Sequence, residues 1–150
     1  MQMRRETEKK SSGVSRYVLD TFAVQVFLAG EPGVKIVQDV LGRAASGQAH
    51  VYVSWVSLSE IYYVVYRKAG QLRAKTTLEG IKRLSIEILH AGESECLEAG
   101  DIKARFKLSL ADAFVAALGK LYDAQILTGD PEFKPLEEVG EIRVLWLPQK

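Results

Sequence analysis

The chain has 150 residues, of which 47% are hydrophobic, so it is long enough for one globular domain with a substantial buried core. Its formal net charge of +1 excludes a strong overall attraction to nucleic acid. Its single cysteine, Cys96, excludes an internal disulfide, and no run of residues has the length and apolarity of a membrane span or a secretory leader, so we expect a cytoplasmic protein.

The N-terminal segment differs from the rest of the chain in charge. Residues 1–16 hold five basic and two acidic side chains and lack apolar periodicity, whereas the remainder is mildly acidic. We therefore predict that residues 1–15 form a polar tail and that residues 16–150 form the folded domain.

From residue 16 onward, short apolar runs of strand length alternate with longer segments of helical periodicity. The predicted strands are residues 16–20, 49–54, 86–89, 125–128 and 142–147. The predicted helices are residues 21–29, 33–46, 57–69, 71–84, 93–106 and 109–123. This alternation is typical of βαβ units, and near-continuous apolar strands favour a parallel sheet covered on both faces. The sequence therefore predicts an α/β fold, a three-layer α/β/α sandwich around a mostly parallel central sheet of four to five strands.

Four acidic residues follow the predicted strands or begin the helices beside them: Asp20, Glu60, Asp112 and Asp130. Parallel strands joined by right-handed crossovers point in the same direction, so ligands collect beyond their carboxyl ends. We therefore expect these four acids to lie at one edge of the sheet, although up to 110 residues separate them in sequence.

Each acid also has an ordinary structural interpretation. Asp20 suits a helix N-cap, and Asp130 suits a turn or cap residue before Pro131. Glu60 and Asp112 each follow a serine by three residues, which is the spacing of a capping box. For each residue taken singly, the sequence leaves both interpretations open.

Taken together, the four carboxylates favour a metal site, because they would repel one another without Lys or Arg beside them in sequence. A bound cation removes that repulsion, and carboxylate oxygens are the ligands that Mg²⁺ and Mn²⁺ prefer. Zinc is disfavoured because His50, His90 and Cys96 show no ligand spacing. Glycine-rich nucleotide loops and serine or cysteine nucleophile motifs are absent. The predicted site is therefore an all-carboxylate one, of the kind chiefly used on phosphates.

Four short segments carry a resemblance to a known family. They are YVLDT, SLSE, LSLADAFVAALG and LTGDPEF, in that order, and the match covers most of residues 16–147. With these motifs the chain resembles a PIN-domain ribonuclease and, within that family, a VapC-type toxin of a toxin–antitoxin pair. One position departs from the family pattern, because Phe22 stands where a second small polar residue often follows the opening Asp-Thr.

The resemblance implies metal-dependent hydrolysis of RNA phosphodiesters, with Mg²⁺ or Mn²⁺ bound by the four acids. Asp20 and Asp112 would be direct ligands, and Asp130 a direct or water-mediated one. Glu60 would hold or deprotonate the attacking water. Two nearby hydroxyls would support these acids, namely those of Thr21 and Thr128.

The resemblance further implies an RNA substrate, an antitoxin protein as partner and a homodimer. Lys103, Arg105 and Lys107 precede Asp112 and are candidates for contacts with RNA phosphates, although a solvated helix end explains them equally well. The aromatic segment IYYVVYRKAGQL is a candidate dimer surface, with burial inside the monomer as the alternative. A second class of function also stays open, that of a catalytically silent PIN-fold module that binds RNA or protein.

Overall fold

The computed structural model describes residues 13–149, which form five strands and seven α-helices. The strands are β1 (Ser15–Leu19), β2 (Ala49–Ser54), β3 (Glu87–Leu89), β4 (Gln125–Thr128) and β5 (Val144–Trp146). The helices are α1 (Thr21–Ala29), α2 (Val34–Ala45), α3 (Trp55–Ala69), α4 (Gln71–Lys82), α5 (Glu93–Arg105), α6 (Leu110–Leu121) and α7 (Lys134–Glu138), and a 3-10 turn (Pro131–Phe133) precedes α7. Most of the predicted polar tail, residues 1–15, lies outside the described residues. Within the described part of the chain, no helix is long and apolar enough to cross a membrane.

Strand β1 lies at the centre of the sheet, whose strand order is β3-β2-β1-β4-β5. Every neighbouring pair is parallel. Ser15 of β1 is in register with Ala49 of β2, and Leu19 of β1 is in register with Leu127 of β4. The chain thus adds strands on one side of β1 and then on the other, and ligands in such sheets bind at the carboxyl ends of the strands where this reversal occurs.

The sheet separates two apolar cores, as the alternation of side chains along β1 and β4 shows. Tyr17, Leu19 and Leu127 pack with residues of α1–α4 on one face. Val18 and Ile126 pack with residues of α5–α7 on the other face. Because both faces are covered, these strands read as continuous apolar runs. The predicted three-layer α/β/α sandwich is confirmed, and its sheet is parallel throughout.

Helix α3 begins two residues earlier than predicted. Ser54, the last residue of β2, is its N-cap, and its Oγ accepts a hydrogen bond from the backbone N–H of Val56 at 3.0 Å. Ser57 is instead fully buried inside the helix, and its hydroxyl has no hydrogen-bond partner among the described residues. The possibility of a capping box made by Ser57 and Glu60 is therefore wrong, and Glu60 lies in the second turn of α3.

Candidate active site

Asp20 follows β1 directly and is almost fully buried, with 1% of its surface exposed. Its Oδ1 accepts a hydrogen bond from the backbone N–H of Ala23 at 2.8 Å, so the predicted N-cap of α1 is confirmed. Its Oδ2 accepts a hydrogen bond from the hydroxyl of Thr128. Burial raises the pKa of Asp20 from 3.8 to about 7; these two hydrogen bonds lower it, and the charges of Asp130 and Glu60 raise it.

Thr128, at the end of β4, connects Asp20 to Asp130. Its hydroxyl donates to Asp20 and accepts from the backbone N–H of Asp130 at 2.9 Å. Asp130 in turn caps the 3-10 turn, because its Oδ1 accepts from the backbone N–H of Glu132 at 2.9 Å. The predicted cap before Pro131 is confirmed, and one threonine hydroxyl contacts the segments that carry two acids.

Asp112 lies in the first turn of α6, where Ser109 Oγ accepts a hydrogen bond from its backbone N–H at 3.1 Å. Ser109 is thus the N-cap of α6, while the Asp112 carboxyl faces other acids. One carboxylate oxygen from each of Asp112, Asp130 and Glu132 lies within 4.8 Å of the other two. Burial raises the pKa of Asp112 from 3.8 to about 8, and the charges of Asp130 and Asp20 and a hydrogen bond with Glu132 raise it as well.

Glu132 is an acid of this region that the motifs did not reveal. It is exposed, and it joins Asp112 because the Asp130 cap folds the 3-10 turn back toward the start of α6. The signal available in the sequence was its position, two residues after an acid that caps a turn. We call Asp112, Asp130 and Glu132 the three-carboxylate cluster, and these three together with Asp20 and Glu60 the acidic centre.

Glu60 belongs to the acidic centre but not to the three-carboxylate cluster. The hydroxyl of Thr21 donates a hydrogen bond to its Oε1 at 2.8 Å, and its charge raises the pKa of Asp20. Glu60 also lines an open groove of about 540 Å³ between α3 and the start of α6, which Trp55 and Tyr63 line as well. The structure therefore brings all four predicted acids to one edge of the sheet.

The donor atoms of the acidic centre suit a hard divalent cation. All of them are carboxylate oxygens, the ligand type that Mg²⁺ and Mn²⁺ prefer. Within residues 13–149, no Lys or Arg forms an ion pair with any of the five acids. Burial above all, and then the charges of neighbouring acids, raise the pKa values of Asp20 and Asp112, and a bound cation would favour the ionised form of both carboxyls.

The three bases predicted to contact RNA are exposed on the last turn of α5 and the loop that follows it. Lys103 Nζ donates a hydrogen bond to the backbone oxygen of Leu108 at 2.9 Å. Arg105 forms an ion pair with Glu141. Two of the three thus have partners within the protein, and the third, Lys107, is exposed just before α6.

Comparison with solved structures finds proteins whose fold is similar to that of this chain. VapBC2 from Rickettsia felis, bound to a DNA fragment from its promoter, is 14% identical with a TM-score of 0.71, covering 88% of this chain and 98% of that chain. DNA-bound VapBC from Salmonella typhimurium is 15% identical, with a TM-score of 0.68 and coverage of 88% and 98%. VapC20 from Mycobacterium tuberculosis, a sarcin-ricin loop cleaving toxin, is 19% identical, with a TM-score of 0.61 and coverage of 81% and 94%.

At the level of sequence, a search of curated proteins found no match. The family model described as PIN domain matches residues 17–139, a range that runs from the middle of β1 to the end of α7 and contains the whole acidic centre. The resemblance drawn from the four motifs is confirmed, and the chain belongs to the PIN-domain family.

Proposed function

We propose that this chain is a metal-dependent endoribonuclease that hydrolyses RNA phosphodiesters in the cytoplasm, as the toxin of a toxin–antitoxin pair. The observation that carries the proposal is the acidic centre: three carboxylates come within 4.8 Å of one another, the charges of Asp130 and Glu60 act on Asp20, and none of the five acids has an ion-pair partner among the described residues. Membership of the PIN-domain family supports nuclease chemistry. The similarity in fold to VapC20, a sarcin-ricin loop cleaving toxin, supports RNA as the substrate.

We keep three of the four predicted acids as metal ligands, Asp20, Asp112 and Asp130. We propose Glu132 as the fourth in place of Glu60, because Glu132 and not Glu60 belongs to the three-carboxylate cluster. When bound, Mg²⁺ or Mn²⁺ would neutralise charge on the phosphate and lower the pKa of water. Thr128 orients Asp20 and the turn that carries Asp130, so both carboxylates are held in place before a metal ion binds. This preorganisation lowers the cost of assembling the site.

Glu60 is the residue we assign to the attacking water. Thr21 fixes the side chain through Oε1 only, which leaves Oε2 to accept a proton from that water. Its place on the wall of the groove puts this acceptor beside the space where a substrate can lie. For the RNA backbone we propose Lys107 first, because Lys103 and Arg105 already have partners within the protein.

We also propose an antitoxin partner and a homodimer. The VapBC structures from Rickettsia felis and Salmonella typhimurium support a protein partner. We expect an antitoxin arginine to contact the acidic centre, since bidentate Arg–carboxylate pairing would balance its charge. The predicted dimer surface contains Tyr63, Tyr66 and Leu72, which are 44%, 45% and 81% exposed. Chromatography with light scattering, on the chain alone and with its co-purified partner, tests both assemblies.

The test of the function is RNA degradation by the purified chain with Mg²⁺, with Mn²⁺ and with EDTA. Asp112→Asn, purified in parallel, guards against contaminating nucleases, and Asp39→Asn on the exposed side of α2 is the matched control. We expect wild type and Asp39→Asn to cleave RNA when Mg²⁺ or Mn²⁺ is present and not in EDTA. We expect Asp112→Asn not to cleave RNA under any of these conditions. Metal-independent cleavage, or equal cleavage by Asp112→Asn, would reject the proposal.

The alternative is the catalytically silent binding module. The capping hydrogen bonds of Asp20 and Asp130 favour it, because they give these acids a structural role without a metal. A silent module would bind RNA or a protein in EDTA as well as in Mn²⁺, and would leave RNA intact under both conditions.

A further inference from the structure

The ring of Phe22 packs against Gly129, the residue between Thr128 and Asp130. A Cβ placed on Gly129 would lie 2.5 Å from Cζ of Phe22 and closer still to Cε1, much nearer than two non-bonded carbons approach. Gly129 is buried, and it is not among the glycines with positive φ. Its backbone therefore does not require glycine; the ring of Phe22 does.

Phe22 connects this glycine to the rest of the acidic centre. It lies in the first turn of α1, next to Thr21, whose hydroxyl holds Glu60. On its other side, the ring supports the turn in which the Thr128 hydroxyl accepts from the N–H of Asp130. One helical turn thus contacts Glu60 directly, through the Thr21 hydroxyl, and reaches the segment that carries Asp130 through the packing of Phe22 on Gly129.

We propose that Phe22 is a positioning residue for metal binding. Its half-buried ring packs on the apolar core beside α1 and limits how far Gly129 can move. Asp130 follows Gly129 directly, and Asp130 in turn holds the backbone of Glu132. The position of Phe22 therefore sets the spacing of the three-carboxylate cluster. The inference rests on the proposed metal site and adds a residue that touches neither metal nor substrate.

Groups that hydrogen-bond to metal ligands typically change metal affinity by about 10–100-fold when they are removed. For Phe22, which acts by packing on the segment before a ligand, we expect an effect at the lower end of that range. Phe22→Ala removes the support. Gly129→Ala forces the ring or the turn to move. In the double variant the added methyl group no longer meets a ring, so each change should partly correct the other. This reciprocal rescue is not expected of two independent structural defects.

The experiment measures Mn²⁺ binding by calorimetry and metal-free melting by circular dichroism on the full chain. Phe27→Ala is the control for Phe22→Ala, since Phe27 is also half-buried on α1 and packs on the same core. Gly119→Ala is the control for Gly129→Ala. Gly119 lies in the last turn of α6, and a Cβ added there would lie 2.5 Å from Ile126 Cδ1, so this variant introduces a similar steric clash outside the acidic centre.

Both single variants at the Phe22–Gly129 contact should weaken Mn²⁺ binding about tenfold or more. The double variant should bind about fivefold or more tightly than Gly129→Ala alone. The two controls should melt earlier than wild type and keep their Mn²⁺ affinity within about twofold.

Phe22→Ala and Gly129→Ala proteins that melt earlier but bind Mn²⁺ like their controls would overturn the inference and leave the proposed function standing. A wild-type protein that binds no Mn²⁺ would overturn the proposed function and the inference with it. If Gly129→Ala does not fold, the comparison of Phe22→Ala with Phe27→Ala decides, since equal Mn²⁺ affinity in these two variants rejects the positioning role.

Discussion

Replacing Asp112 by Asn removes an ionisable carboxyl from the acidic centre and leaves the N-cap of α6 intact. The capping hydrogen bond runs from the backbone N–H of Asp112 to Ser109 Oγ, and Asn retains that N–H. If Asp112 served mainly as part of a capping box, the replacement would cost about 1 kcal/mol and spare activity. If it belongs to the acidic centre, the metal-free protein should become more stable at high pH, because a neutral amide replaces a carboxyl whose ionised form is disfavoured by burial and by the charges of Asp130 and Asp20.

The raised pKa of Asp112 sets the size of this gain and its dependence on pH. Chiefly because of burial, the pKa is about 8 in the folded chain against an ordinary value of 3.8. The folded chain thus keeps a proton that the unfolded chain has released, so the free energy of unfolding falls as the pH rises between these values. The slope is about 1.4 kcal/mol per pH unit for one proton. Because the carboxyl is partly exposed, solvent screening reduces the total, and we expect Asp112→Asn to gain about 1–2 kcal/mol at pH 8 and far less at pH 4.

Urea denaturation in EDTA at pH 4 and pH 8 measures this difference, and Mn²⁺ calorimetry on the same samples measures affinity. Asp39→Asn is the matched control, because Asp39 is exposed on α2 and outside the acidic centre. We expect Asp112→Asn alone to gain stability at pH 8 and to lose Mn²⁺ binding and RNA cleavage together. If Asp112→Asn is less stable than wild type at pH 8 yet binds Mn²⁺ and cleaves RNA normally, Asp112 is a helix-capping residue and not a metal ligand.

Three further results are expected. Mn²⁺ at 100 times its dissociation constant should stabilise the wild type by about 2.7 kcal/mol, which would raise its melting temperature above that in EDTA. An unchanged melting temperature at millimolar Mn²⁺ would contradict the proposed metal site. Glu132→Gln should weaken Mn²⁺ binding about tenfold in calorimetry, whereas Glu138→Gln, at the exposed end of α7, should not; equal affinities would exclude Glu132 as a ligand. Thr128→Val should raise the pKa of Asp20 above about 7, because the buried carboxylate loses a hydrogen-bond donor. The free energy of unfolding, measured by urea denaturation at pH 8, should fall by about 1–3 kcal/mol, and an unchanged value would contradict this prediction.

The fold was predictable because its strongest signals are local. The central strands are buried on both faces, so they appear in the sequence as short apolar runs between longer helical segments. The start of α3 was not predictable in this way, since β2 passes into the helix without a loop and Ser54 caps it. The serine–glutamate spacing at Ser57 imitates a capping box by chance. Helix α7, only five residues long and containing Pro135, has too few residues to show a period.

The place of the four acids was predictable from topology, because parallel strands bring their carboxyl ends to one edge. Glu132 was not, since its approach to Asp112 depends on how Asp130 caps the turn. The contact between Phe22 and Gly129 was equally hidden, because it joins segments distant in sequence and leaves no periodic pattern. Metal binding and catalysis by these residues stay predictions that the experiments above test.

The hydrogen bond between Thr128 and Asp20 joins residues 108 positions apart, and it depends on the pairing of β1 with β4. Contacts over such a separation require the chain to close a long loop before they stabilise it, which slows folding. A growing polypeptide that has reached residue 124 already contains Asp20, Glu60 and Asp112, but it lacks the strand that orders the first of them. The nuclease we propose would therefore lack a complete acidic centre until β4 and the turn after it have been synthesised, and any copy truncated before β4 would lack it permanently.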